Sequence, residues 1–306
     1  MRIRRDVQQV IREGGAAVAL ESTLITHGLP YPDNLRVAQQ MEQAVRDEGA
    51  VPATVAVLAG VPTIGIDSVQ LEYLAQAKNV RKCSRRDLPI VLATQSDGAT
   101  TICGTLILAH LAGVRVFATG GLGGVHRGKV FDVSADLDEL ARTPMIVVCS
   151  GPKALLDQEA TRERLETLGV PILGYGTDRV PAFYSRESDL AVDLRVESPD
   201  EVAGVAMARD KLGLMAAVVV GVPVPVADEL PRAQAEEAIR LALHMAEEQA
   251  IRGEAVTPFL LPRITELTEG RSLVANRSLL INNARVAARV AHSLALARQR
   301  ERRPTI

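Results

Sequence analysis

The sequence predicts an α/β protein in which helices cover both faces of a mainly parallel central sheet. Two observations carry this. Short apolar, β-branched runs alternate with helical patterns along the chain. No Ser/Gly linker, charge run or internal repeat divides the 306 residues, so a single α/β/α layered domain is expected over 1–306. In order, "AAVALES" (16–22) predicts a strand. Residues 34–50 predict an amphipathic helix, with Asn34 as cap and Gly49 as stop. Residues 53–60 form the next strand and 69–79 a helix. "PIVLAT" (89–94) predicts a strand, 100–113 a buried helix and 114–121 a strand. A helix over 135–143, a strand over 145–151 and a helix over 159–169 follow. Residues 170–176 and 214–221 predict further strands, and the C-terminal third is mostly helical. In such sheets ligands bind at the carboxyl ends of the strands. Polar residues that end strands are therefore the first candidates for chemistry.

Composition removes several classes of function. Aromatics are only 3% and Trp is absent, which leaves no stacking platform for single-stranded nucleic acid. The net charge of −2 argues against a polyanion or a membrane surface as the main partner. Cys83, Cys103 and Cys149 have neither paired nor metal-type spacing, which fits a reducing cytoplasm. No apolar run reaches membrane-spanning length, and the basic start is not followed by a long apolar region, so neither a span nor a signal peptide is expected.

The lysines stand out. Of 35 basic residues only five are lysines: Lys78, Lys82, Lys129, Lys153 and Lys211. A guanidinium stays protonated, whereas a buried ammonium can lose its proton and attack a carbonyl. Lys153 follows the apolar run in "VVCSGPK" and is set at a strand mouth. Glu21 ends the run in "VALESTLITHGLPYP"; partial burial would raise such a carboxyl toward a general acid, while a loop or cap acid paired with Arg is the plainer alternative. His27 in the same stretch is either a ligand contact or a hydrogen-bonded loop residue. "GGLGGVHRG" (120–128) holds five glycines with His126 and Arg127. It is either a flexible turn or a loop that binds phosphate or a polar substrate, and it has neither the Walker nor the dinucleotide spacing.

Further along, Ser134, Asp136 and Asp138 suit an ordinary helix start. Asp132 precedes that cap and is available to a hard divalent cation. Lys82, Arg85 and Arg86 precede a predicted strand, either as a solvated face or enclosing a phosphate. Asn282 and Asn283 either reach a ligand or cap a core helix, and His244 and His292 read as helix-surface residues.

Together these stretches resemble the pseudouridine-5'-phosphate glycosidase family. "VALESTLITHGLPYPDN", "KCSRRDLPIVLA", "DGATTICGTLILAHLAGVRVFATGGLGGVHRG", "FDVSADLDELA", "VVCSGPKALLD" and "INNARVAA" occur in family order over nearly the whole chain. The resemblance implies an α/β/α fold, a homotrimer and one manganese ion per subunit. It implies Lys153 as nucleophile and Glu21 as proton donor. Lys82, Ile102 and the run Ser134, Ala135, Asp136 would contact substrate, and Asp132 would hold the metal. His126, Asn282 and Asn283 join the substrate candidates. The segment between "HRG" and "FD" is only Lys129–Val130, shorter than the family pattern. The implied reaction is reversible cleavage of pseudouridine 5'-phosphate to uracil and ribose 5-phosphate through a lysine-linked, ring-opened ribose. Rival readings are another Schiff-base phosphosugar lyase, an N-nucleoside hydrolase, or a non-catalytic sugar-phosphate-binding protein.

Overall fold

In a computed structural model of the protein, residues 1–128, 132–249, 251 and 256–302 are described. Lys129 and Val130, the shortened segment, lie outside them. The strands are β1 (Arg2–Ile3), β2 (Ala17–Leu20), β3 (Val51–Leu58), β4 (Val61–Ile64), β5 (Arg81–Cys83), β6 (Gly98–Thr100), β7 (Val116–Ala118), β8 (Val125–His126), β9 (Ile146–Cys149), β10 (Leu156–Asp157), β11 (Ile172–Tyr175), β12 (Leu194–Val196) and β13 (Val218–Gly221). The helices are α1 (Arg5–Arg12), α2 (Asp33–Asp47), α3 (Ser68–Gln76), α4 (Leu88–Ala93), α5 (Ile102–Ala112), α6 (Ala135–Leu140), α7 (Gln158–Thr167), α8 (Pro199–Lys211), α9 (Arg232–Glu248), α10 (Val256–Leu267) and α11 (Arg271–Arg302).

The main sheet runs β1-β4-β3-β2-β7-β9-β13-β11-β12, and its centre, from β3 to β12, is parallel. Strand alternation explains the layers, because successive side chains point to opposite faces. Val18, Leu20, Val116, Ala118, Ile146 and Val148 pack with α2, α8, α9, α10 and α11. Ala17, Ala19, Phe117, Val147 and Cys149 pack with α1, α4, α5, α6 and α7. Both faces are covered, so the strands read as continuous apolar runs. The expected α/β/α class is present.

Two local expectations are corrected. Residues 89–94 are not a strand: 89–93 lie in α4 and Thr94 is its C-cap. Leu88 and Val91 are buried while Ile90 and Leu92 are exposed, the three-residue spacing of a helix face, and Pro89 is tolerated in a first helical turn. Asn34 does not cap α2, which starts at Asp33. Its buried amide donates to the carbonyls of Ile25 (2.6 Å) and Ala75 (2.9 Å), fixing the loop that carries His27. The sheet is also mixed at one side. β3 turns into β4 through Ala59 (φ 48°) and Gly60 (φ 75°); two left-handed residues make the tight hairpin turn that matches strand twist. β6 adds antiparallel to β3, and β5 joins β6.

Candidate active site

The carboxyl ends of β2, β7 and β9 open on one cavity of about 380 Å³. Glu21 follows β2 directly. Thr23 and Thr119 each donate a hydroxyl to its carboxylate, one to each oxygen, so its plane is fixed from both sides. Thr119 is the residue after β7, and its own N–H donates to Val148 O (3.0 Å) in the β7–β9 ladder. Ser22, next to Glu21, accepts from Thr100 N (2.8 Å) and anchors the end of β2 against β6.

Lys153 is placed by backbone. Beyond β7 and β9 the pairing continues: Ser150 N donates to Gly120 O (2.8 Å), Leu122 N to Gly151 O (2.9 Å) and Lys153 N to Leu122 O (3.0 Å). The glycine loop is therefore half of the scaffold for Lys153. Gly121 shows why: a Cβ there would strike the Phe183 ring at 2.6 Å and Gly151 O at 2.9 Å. Lys153 lines the cavity with an exposed side chain, at the strand mouth where the sequence sets it.

Lys82 reaches the same cavity from β5. His27 stands beside it, inside a concavity although its ring is open to solvent. Desolvation, and then the Lys82 cation, lower the His27 pKa below its ordinary 6.5. Of the basic run around Lys82 only that lysine lines the cavity. Arg85 is committed to Glu139 through two bonds of 2.8 and 2.9 Å, Arg81 pairs with Asp87 at 3.2 Å, and Arg86 is exposed. The alternative that this run encloses a phosphate thus reduces to Lys82.

The N-terminal turn of α5 forms another wall. Ile102, 1% exposed, and Thr101 line the cavity. Thr101 caps the helix by accepting from Gly104 N (3.3 Å), and Asp136 accepts from Cys103 N (2.9 Å). Ser134 and Asp136 line the cavity; Ala135 does not. Asp132 lines it beside His126, with Nδ1 to Oδ1 at 3.3 Å. Among the described residues no group of three His, Cys, Asp or Glu side chains converges on a metal position. A hard cation held by one carboxylate, with water and substrate oxygens completing its shell, is compatible with Asp132.

Besides Ala135, two predicted contacts are not brought to the cavity. Asn282 does not line it. Asn283 is fully buried, and its amide donates to Thr119 O (2.9 Å) and Ser150 Oγ (3.1 Å). It clamps the loops that carry Glu21's partner and Lys153. Asn276, one helical stretch earlier in α11, does line the cavity. Sequence reasoning missed it and Thr119, since neither lies in a motif of distinctive composition.

A cavity with an amine, a carboxyl group and a second ammonium at the carboxyl end of a parallel sheet defines a site suited to acid-assisted attack by an amine on an anionic substrate. The family model described as indigoidine synthase A like protein matches residues 6–293. A curated pseudouridine-5'-phosphate glycosidase from Paracoccus denitrificans is 54% identical, over 95% of this chain and 97% of that protein. One from Solibacter usitatus is 51% identical, over 96% and 99%. The crystal structure of the prealnumycin C-glycosynthase AlnA in complex with ribulose 5-phosphate superposes with a TM-score of 0.91 at 37% identity, covering 98% of each chain. An indigoidine synthase A-like protein from Thermotoga maritima gives 0.87 at 34%, covering 96% of each. The chain belongs to the indigoidine synthase A-like family, together with the pseudouridine-5'-phosphate glycosidases that match it along almost its whole length.

Proposed function

We propose that this protein is a pseudouridine-5'-phosphate glycosidase, which reversibly cleaves the bond between ribose C1' and uracil C5. The observation that carries this reading is the convergence of Lys153, Glu21 and Lys82 on one cavity, in a chain about half identical to proteins so named. The bond is carbon–carbon, so expulsion of a plain leaving group would generate a poor carbanion. An amine nucleophile avoids this. The Lys153 amine attacks C1', the ring oxygen O4' departs and takes a proton, and the ribose opens. Glu21 then delivers a proton to uracil C5. The C1'–C5 electrons return to the uracil ring, the lysine nitrogen lone pair forms an iminium at C1', and uracil leaves. Water hydrolyses the iminium, restoring the amine and releasing ribose 5-phosphate. Thr23 and Thr119 hold the Glu21 carboxyl in one orientation for that transfer. Lys82 supplies positive charge for the phosphate, with Ile102, Ser134 and Asp136 along the sugar.

A divalent manganese ion at Asp132 would supply a Lewis-acid anchor for substrate oxygens. The homotrimer and the cytoplasmic location belong to the same reading; the family resemblance supports the first. Among the described residues no helix is long and apolar enough to cross a membrane. Light scattering in solution tests the trimer.

The deciding experiment measures uracil release from pseudouridine 5'-phosphate, with and without manganese, for native protein and for Lys153→Ala. Release that needs both establishes the reaction and the nucleophile. No release from folded native protein overturns the glycosidase reading. Release that survives Lys153→Ala keeps the activity and discards the covalent route.

A further inference from the structure

Lys153 sits on a turn with open space on two sides. In front is the catalytic cavity. Behind is a second cleft of about 270 Å³, which shares Ala154 and Arg127 with the first and is also lined by Gln158, Ser185 and Glu236. Pro152, Ala154 and Leu156 of this turn are buried, whereas the Lys153 side chain is exposed and is the part left to be placed. Its ends are fixed, by the Leu122–Pro152 bridge on one side and by the antiparallel pair β8–β10 on the other. Between those ends, Arg127 makes both side-chain bonds received by the backbone of residues 153–156 among the described residues. Its Nε donates to Leu156 O (3.1 Å) and an Nη to Ala154 O (3.3 Å).

We propose that Arg127 is a positioning residue for the nucleophile: its guanidinium spans the turn and holds the Lys153 side chain toward the catalytic cavity and away from the cleft behind. The inference rests on Lys153 acting as the nucleophile. A planar guanidinium with donors in a fixed fork can engage two carbonyls together; an ammonium on a flexible stem cannot reproduce that geometry. Arg127 follows His126 on β8, and His126 pairs with Asp132 at 3.3 Å. The same strand therefore ties the turn to the loop of Asp132, so the nucleophile and that carboxylate keep a common frame. An arginine that served only to bind phosphate has no need to donate to carbonyls one and three residues after Lys153.

The test compares native protein with Arg127→Gln, Arg127→Lys and Arg127→Ala. It reads kcat and KM for uracil release, the rate of borohydride trapping of the lysine adduct, and the melting temperature. A displacement of about 1 Å at a reacting group costs up to roughly a hundredfold. We expect kcat and the trapping rate to fall together by about ten- to a hundredfold in Arg127→Gln, with KM within roughly twofold of native. Arg127→Lys recovers only part of the loss. Added guanidinium raises the rate of Arg127→Ala at unchanged melting temperature. Native kcat and trapping in Arg127→Gln overturn the proposal. So does a rise in KM at constant kcat, which assigns Arg127 to substrate binding, and so does a loss of kcat that tracks loss of folded protein. Native protein that releases no uracil refutes the glycosidase reading itself, independently of any Arg127 variant.

Discussion

Replacing Asn283 by leucine keeps the number and branching of side-chain heavy atoms and removes the hydrogen bonds, with added methyl bulk that can only increase the loss. The native amide donates to Thr119 O at 2.9 Å and to Ser150 Oγ at 3.1 Å, and its oxygen accepts from Ser150 Oγ at 3.3 Å. Asn283 is 0% exposed, so water does not take over as partner. Two buried groups, a carbonyl and a hydroxyl, each lose a partner at about 1–3 kcal/mol, which sums to roughly 2–6 kcal/mol. At about 2–4 °C per kcal/mol for a large domain, a loss near 3 kcal/mol lowers the melting temperature by roughly 6–12 °C. The assay is urea unfolding at fixed protein concentration, with native protein, Asn283→Leu, Ser150→Ala and the double variant. The two single effects should not add, because each removes the same contact. Kcat should fall as well, since Thr119 orients Glu21. A change within about 0.5 kcal/mol, or full additivity, refutes the account of Asn283 as a clamp.

Other outcomes follow from the site. Thr119→Val removes one of two hydroxyls on Glu21 and should lower kcat by about tenfold, the equivalent of a hydrogen bond worth ~1.4 kcal/mol, with little change in melting temperature. In Lys82→Met the His27 titration followed by NMR should move up, yet stay below 6.5, because desolvation is the larger cause and remains. Since the unfolded chain binds that proton more tightly, His27 makes the native fold less stable as pH falls through 6.5. Burial pushes the Cys83 thiol up to about 11 and those of Cys103 and Cys149 to about 12. All three should resist iodoacetamide at pH 7.5 and react only in denaturant, read by mass spectrometry.

The parallel centre of the sheet was legible because both its faces are covered and its strands are uninterrupted apolar runs. Residues 89–94 were not, since a short apolar run carries no period that separates a buried strand from a helix. Here the buried pair Leu88 and Val91 decides the matter, and only packing reveals it. The strand-end rule located Glu21 and Lys153 correctly on one cavity. It does not tell a side chain that faces a cavity from one that holds its walls, so Asn283, which the sequence offers as either a ligand contact or a cap, turns out to hold the wall beside Thr119. The glycine loop was legible as a close approach of backbone: Gly120, Gly121, Gly123 and Gly124 line the cavity, and Gly121 also packs against Phe183 and Gly151.

Helix α11 lies across β2, β7 and β9, supplies Asn276 and Leu280 to the cavity and brings Asn283 against Thr119 and Ser150. Those residues leave the ribosome more than a hundred positions after Lys153. Every other catalytic group is thus synthesised before the wall that completes their enclosure exists. A nascent chain can form its sheet while the cavity still lacks that wall. The enclosure is complete only when the last long helix docks, so a closed cavity reports that synthesis has passed residue 283.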